Sequence, residues 1–214
     1  MEGKHKPYGP YEKYFKRPLD LCCGLAAVIV FSWLYLILII LGTIFMRGNP
    51  FFTQERPGKD EKIFKLIKFR SMDNRKKDGK LLPDEIRLNK YGRLLRTSSL
   101  DELPEAFNII KGDMSVIGPR PLLVRYLDRY SPEQHRRHEV RPGLSGYAQV
   151  HGRNTVSWQD KFKMDVEYVD HITFLGDLKI IWDSVMVAFV KHDGISSETS
   201  VTMEEFMGNE IEVK

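Results

Sequence analysis

Positions 21–46 contain no Asp, Glu, Lys, Arg or His, and only Gly24, Ser32, Gly42 and Thr43 among them fall outside the hydrophobic set. At about 1.5 Å per helical residue, such a run reaches roughly 39 Å, more than the ~30 Å hydrocarbon core of a bilayer. A signal peptide would have a shorter apolar stretch and a small-residue cleavage site, whereas this run ends in Ile44-Phe45-Met46-Arg47. A core helix this uniformly apolar would need a much larger protein around it than 214 residues supply. The run is therefore read as membrane-embedded.

Its flanks bear on its path. Lys4, Lys6, Lys13, Lys16 and Arg17 precede it, and Arg47, Arg56, Lys59 and Lys62 follow it. Positive flanks mark the cytoplasmic side, so a straight span would send one of them to the wrong face. A helix that enters, breaks and returns keeps both inside, with arms of about 13 residues reaching roughly 20 Å each. Ser32 sits at the midpoint and offers a hydroxyl for a backbone group freed by the break. A re-entrant helix is favoured over a span.

The rest of the chain is polar enough to bring the mean hydropathy to −0.34. Its size suits one domain with its own core and no disulfides. Cys22 and Cys23 are adjacent within the apolar run, where they read as small apolar fillers. We divide the chain into a cytoplasmic flank with membrane helix (1–46), a domain outside the membrane (47–192) and an acidic tail (193–214) that is extended or partly ordered. The fold expected is mainly α with a small β-hairpin, an α+β class, with amphipathic helices packed at the membrane face. Phe51-Phe52-Thr53-Gln54-Glu55-Arg56 and Lys62-Ile63-Phe64-Lys65-Leu66-Ile67-Lys68-Phe69-Arg70 read as two strands around the turn Pro57-Gly58-Lys59-Asp60. Residues 74–80 read as a loop, and helices are expected at about 85–95, 102–111, 122–130, 132–140, 157–171 and 174–191.

Charge is unevenly placed. Residues 119–153 hold seven arginines, no lysine and three acids, an excess equal to the whole net charge of +4. Guanidinium offers a planar fork matched to phosphate oxygens, so this stretch, Arg153 included, is expected to face phosphates. Nucleic acid is not expected, because +4 is weak for that role and the aromatic-rich basic motifs of RNA binders are missing. Gly-rich nucleotide motifs and the Gly-x-Ser-x-Gly elbow are also missing. His135 and His138 lack the partners of a metal site.

Three constellations stand out. Ser99-Leu100-Asp101-Glu102-Leu103-Pro104 reads as a helix start, with either Ser99 in a capping box or Asp101 as N-cap; both registers set Asp101 and Glu102 at the positive end of a helix. Pro119-Arg120-Pro121 holds an arginine between two rigid residues, with little freedom to lose on gripping an anion. Asp165 lies in line with Trp158, Phe162 and Val169 on an otherwise apolar helical stripe, and so requires a cationic or metal partner.

Taken in order, Lys16-Arg17-x-x-Asp20, Phe52-Thr53-Gln54-x-Arg56-Pro57-Gly58, Lys68-Phe69-Arg70-Ser71-Met72, Ser99-Leu100-Asp101-Glu102-Leu103-Pro104, Lys111-Gly112-Asp113-Met114-Ser115-x-x-Gly118-Pro119-Arg120-Pro121 and Arg141-Pro142-Gly143-Leu144-Ser145-Gly146-Tyr147-Ala148-Gln149-Val150 resemble the bacterial sugar transferases, the monotopic phosphoglycosyl transferases. The resemblance implies transfer of a sugar 1-phosphate from a UDP-sugar to polyprenyl (undecaprenyl) phosphate, with release of UMP and Mg²⁺ as cofactor. It implies the cytoplasmic face of the bacterial inner membrane and the first membrane step of glycoconjugate assembly. It makes Asp101 the nucleophile of a ping-pong reaction through a covalent phosphosugar, and Glu102 its partner in holding the metal. Lys68, Arg96, Pro119, Arg120, Pro121 and Asp165 match positions that bind substrate. The family's usual Ser-Pro break is Ser32-Trp33 here. A membrane-tethered scaffold binding anionic lipid, without catalysis, is the alternative reading of the arginine-rich stretch.

Overall fold

A computed structural model describes residues 5–152, 156–189 and 205–208. A π-helical turn, Tyr11–Phe15, runs into α1 (Lys16–Val30), and α2 (Ser32–Phe45) follows after a single residue. The two helices meet at 64°, and no single helix among the described residues is long and apolar enough to cross a membrane. The bend falls on Phe31, whose ψ of 13° leaves the helical range. Ser32 is the first residue of the second arm, and its hydroxyl makes no hydrogen bond among the described residues. The expected break is therefore one residue early and needs no proline.

Both arms are seated on the rest of the chain by one face. On α1, Gly24 lies against Ile109 and Ile110, where a Cβ would come within 3.0 Å of Ile110. Arg17 donates to the carbonyls of Ile109 (2.7 Å) and Ile110 (3.0 Å), and Asp20 accepts from Ser115 Oγ (2.8 Å) and the Val116 amide (2.9 Å). On α2, Tyr35, Leu38 and Met46 join Phe69, Tyr91 and Leu95 in one buried cluster. The opposite faces stay bare: Ile29 (70 %), Val30, Trp33, Leu36, Ile40 and Ile44 are exposed.

The strands β1 (Phe51–Pro57) and β2 (Ile63–Phe69) form the expected antiparallel hairpin, with Phe51 opposite Phe69. A two-residue ladder, β3 (Lys76–Lys77) with β4 (Lys80–Leu81), occupies the segment expected as a loop. The helix expected at 85–95 is two pieces, α3 (Asp84–Arg87) and α4 (Lys90–Thr97). Between them Leu88 leaves the helical region and Asn89 caps α4 by accepting from the Gly92 amide. Then come α5 (Glu105–Lys111) and β5 (Ser115–Ile117), which pairs in parallel with β6 (Gly143–Ser145). The helix expected at 122–130 is a run of 3₁₀ turns, Val124–Arg129, and that at 132–140 is one α-turn, α6 (Pro132–His135), tightening into 3₁₀ at Arg136–His138. The last helices are α7 (Tyr147–Gly152), α8 (Trp158–Asp170) and α9 (Phe174–Phe189).

Beside the parallel pair, Gly118 and Gly143 approach too closely for a side chain on either. A Cβ on Gly143 would stand 2.1 Å from the Gly118 amide nitrogen, and one on Gly118 2.4 Å from the Arg141 carbonyl. A buried acid joins the two ends of the fold: Asp177, in the first turn of α9, accepts from Lys16 Nζ (2.5 Å), Tyr11 (2.7 Å) and Tyr168 (2.8 Å). The start of α9 is thereby fixed beside the start of α1, and its outer face shows Phe174, Leu175, Leu178, Ile181, Trp182 and Val185 to solvent. This is a second exposed apolar stripe, of the kind that marks an interaction surface.

Candidate active site

Asp101 and Glu102 occupy a 3₁₀ turn, Leu100–Glu102, just before α5. Neither expected capping register is adopted. Pro104 is the N-cap of α5, and Ser99 makes no capping bond because its backbone is left-handed (φ 55°). The proline explains the choice: it has no amide hydrogen to place inside a helix, so the turn tightens ahead of it. The carboxylates still precede the amide end of α5.

Lys68 reaches them from the end of β2. Asn108 of α5, 1 % exposed, accepts from the Ile67 amide (3.0 Å) and donates to the Lys65 carbonyl (2.8 Å), which stitches β2 onto α5. Lys68 Nζ then lies 2.7 Å from Glu102 and 3.0 Å from Glu105. From the other side Arg120 Nη2 lies 2.9 Å from Glu102. Both cations converge on Oε1 of Glu102, and Oε2 takes neither.

The Arg120 loop is pinned at every carbonyl. Gly143 N donates to Pro119 O (3.0 Å), Arg137 Nη2 to Arg120 O (2.7 Å) and Arg56 Nη1 to Pro121 O (3.1 Å). Pro119 and Pro121 are buried, while the Arg120 side chain is 45 % exposed. The expected rigid arginine loop is present, oriented with its guanidinium on the dyad.

The two acids of the dyad differ in state. Burial works against ionised Glu102, yet Arg120 and Lys68 outweigh it and hold the carboxyl well below the usual range. Asp101 makes no ion pair among the described residues. Burial raises its carboxyl, Lys68 and Arg96 pull it back, and Glu102 adds to the rise. A carboxylate that is more basic than usual and bound to no cation is the better nucleophile of the two. Arg96, exposed on α4, donates to Ser71 (3.0 Å) and acts on Asp101 through its charge.

Two residues of the site escaped sequence reasoning as site residues. Arg56 donates to Gln54 (2.7 Å) as well as to Pro121, and its buried Nε has no hydrogen-bond partner among the described residues. Burial, then Arg120, lowers it to about 10. A buried guanidinium N–H without an acceptor, beside a second arginine, is a place that a phosphate oxygen would satisfy. Glu105 is buried on Lys68, and burial raises its carboxyl. Its signal was its position three residues after Glu102; that of Arg56 was its place in the Arg56-Pro57-Gly58 turn.

Asp165 stands behind this site. It is buried and accepts from Arg137 Nε (3.0 Å) and Nη2 (2.7 Å), the cationic partner that its stripe required. Most of the arginine-rich stretch is engaged within the protein. Arg125 and Arg129 pair with Glu205, Arg136 with Asp170, Arg137 with Asp165, and Arg141 donates to the Gly112 carbonyl. Of its described arginines, Arg120 alone reaches the dyad; the others tie segments together, because a guanidinium's five donors suit bridging as well as they suit phosphate. Arg153 lies outside the described residues.

No three His, Cys, Asp or Glu converge as a metal cage among the described residues. Magnesium does not need one. It is held through one or two carboxylates together with substrate phosphates, and the adjacent hard oxygens of Asp101 and Glu102 Oε2 fit that pattern.

A sequence profile described as bacterial sugar transferase matches residues 11–191. The chain is 47% identical over 195 residues to an uncharacterized sugar transferase, EpsL, of Bacillus subtilis, covering 91% of this chain and 96% of that protein. It is 35% identical to a UDP-glucose:undecaprenyl-phosphate glucose-1-phosphate transferase of Klebsiella pneumoniae, over 86% of this chain and 42% of the other. A UDP-N-acetylgalactosamine-undecaprenyl-phosphate N-acetylgalactosaminephosphotransferase of Aeromonas hydrophila is also 35% identical, over 82% and 44%. The chain thus spans nearly all of the first protein and less than half of the other two.

Proposed function

Because the chain belongs to the bacterial sugar transferase family, we propose that it transfers a sugar 1-phosphate from a UDP-sugar to polyprenyl (undecaprenyl) phosphate through a covalent intermediate on Asp101. The observation that carries this reading is the contrast within the dyad: Glu102 is held by Lys68 and Arg120, and Asp101 beside it pairs with neither. An Asp101 carboxylate oxygen attacks the β-phosphorus, an acyl phosphate bond forms, and the bond from phosphorus to the bridging oxygen breaks. UMP leaves with that electron pair. A polyprenyl phosphate oxygen then attacks the same phosphorus and the Asp101 carboxylate is released. Neither step needs a proton delivered, so the work of the site is charge neutralisation and alignment.

Lys68, Arg120 and Arg56 surround the place where the diphosphate would lie, and the anchored loop leaves Arg120 little to lose in gripping it. Mg²⁺, held by Asp101 and Glu102 with the substrate's phosphates, would neutralise part of the diphosphate charge. The bent helix pair supports a re-entrant membrane helix, since Arg17 at its start and Met46 at its end are both packed on the same domain. The outer stripe of α9 supports a second contact, lying along the cytoplasmic surface of the membrane, where a lipid phosphate waits.

The test is turnover of UDP-sugars with polyprenyl phosphate and Mg²⁺, read as UMP release, together with mass spectrometry of enzyme exposed to UDP-sugar alone. Wild type should release UMP and gain one phosphosugar. Asp101→Asn should lose the adduct and at least about 10³-fold in turnover. Full turnover by that variant would overturn the assignment of the nucleophile.

A further inference from the structure

The family match ends at residue 191, yet residues 205–208 are docked against the catalytic domain. Phe206 is 1 % exposed and sits in a cage of Tyr126, Tyr130, Trp158 and Phe162, with ring centroids 5.8, 5.8, 5.7 and 5.0 Å away. Glu205 fastens the segment from outside, with Arg125 and Arg129 each 2.9 Å from its carboxylate. Arg129 also donates to the Phe206 carbonyl.

Two of the cage rings have a second duty. The guanidinium of Arg137 lies over Tyr130 (5.8 Å) and Phe162 (5.6 Å), the rings that Phe206 backs. Arg137 in turn donates to the Arg120 carbonyl (2.7 Å), and Arg120 reaches Glu102 (2.9 Å). An unbroken line of contacts therefore runs from the tail to the dyad. Large rings between Phe206 and the guanidinium have no space to relax into while the cage is filled; with it empty, both can shift, and Arg137 with them.

We propose that residues 205–208 form a latch in which Phe206 is a positioning residue for the transfer reaction, holding Arg120 on the diphosphate through Tyr130, Phe162 and Arg137. The inference rests on the transferase reading above. Phe206 touches no reacting atom, so its effect should pass through Arg120 alone.

Trp33 and Trp182 lie on exposed faces, so Trp33→Phe with Trp182→Phe leaves Trp158, in contact with the latch, as the sole tryptophan. In this background, in detergent or lipid nanodiscs, Phe206→Ala should shift Trp158 emission to the red and lower kcat/KM for the UDP-sugar about tenfold or more. Phe206→Leu should keep most of the activity. The deciding measurement is a double-mutant cycle with Arg120→Lys: in that background Phe206→Ala should cost less than about twofold, because a shared path makes the losses overlap. Losses that multiply would overturn the inference, as would a red-shifted Phe206→Ala that turns over at the parental rate. Should Phe206→Ala fail to fold, Glu205→Gln loosens the latch without emptying the core; its Trp158 shift must come with a fall in turnover, or the inference fails. A wild-type protein that neither releases UMP nor forms an adduct would instead sink the transferase reading, and this inference with it.

Discussion

Glu102 and Asp165 each hold an arginine, Arg120 in the first case and Arg137 in the second, and the Arg137 guanidinium also bonds the backbone carbonyl of Arg120. Around Asp165 everything is closed: both partners are buried, and Arg137 also bonds the Arg120 carbonyl and lies over two aromatic rings. Around Glu102 the arrangement is open. Arg120 is nearly half exposed, Oε2 takes neither cation, Arg56 Nε has no acceptor and Asp101 has no ion pair among the described residues. The same pair of functional groups thus builds a support in one place and a reactive site in the other, and completeness of bonding distinguishes them.

That contrast can be broken most forcefully at Asp165. Asp165→Asn strands the buried Arg137 charge and should cost about 3–5 kcal/mol of unfolding free energy, measured by denaturant titration in detergent. Replacing both partners by apolar residues, Asp165→Leu with Arg137→Met, should recover most of that stability and leave turnover low, since Arg120 has lost its anchor. Glu102→Gln should tip the balance the other way: a smaller loss of stability than Asp165→Asn, because Lys68 keeps Glu105 and Arg120 reaches solvent, and turnover down by roughly 10²- to 10³-fold, about 3–4 kcal/mol of barrier. If Glu102→Gln unfolds the protein instead, the open site is a support as well, and the distinction fails.

The smallest expected effect concerns pH and His138, which follows Arg137 in sequence and is buried. Burial, then the Arg137 charge, lowers His138 from 6.5 to about 3. The folded state keeps it neutral while the unfolded chain takes up a proton below about 6.5, so its stabilising contribution is complete above that pH and falls as pH drops toward 3. At about pH 5 the loss relative to pH 7 should be about 2 kcal/mol. His138→Gln should flatten this part of the stability profile; an unchanged slope would mean that His138 is not kept neutral.

Much of the site was legible before its geometry was known. The Pro119-Arg120-Pro121 loop announced its own rigidity, the hairpin followed from alternation around Pro57-Gly58, and Asp101 with Glu102 emerged from motif order. Asp165 signalled a partner by interrupting an apolar stripe. The failures share a cause. Strands β5 and β6 have three residues each, too short to show a period, and pair across 28 positions of sequence from Ser115 to Gly143. The ion pairs of the arginine-rich stretch are hidden in its composition, which says what a guanidinium can bind, while its partners, such as Glu205 and Asp170, are chosen by tertiary structure. Phe206 is a lone aromatic in a polar segment, and no local pattern marks it as buried.

Gly118, two residues before Arg120, touches Gly143 backbone to backbone, with no volume for a side chain. Such a contact cannot be recut by substitution: any residue larger than glycine collides with the opposing chain. It keeps one contour whatever side chains surround it, as a workbench does under different tools. Variation in this part of the candidate site therefore has to be written in the side chains around the two glycines.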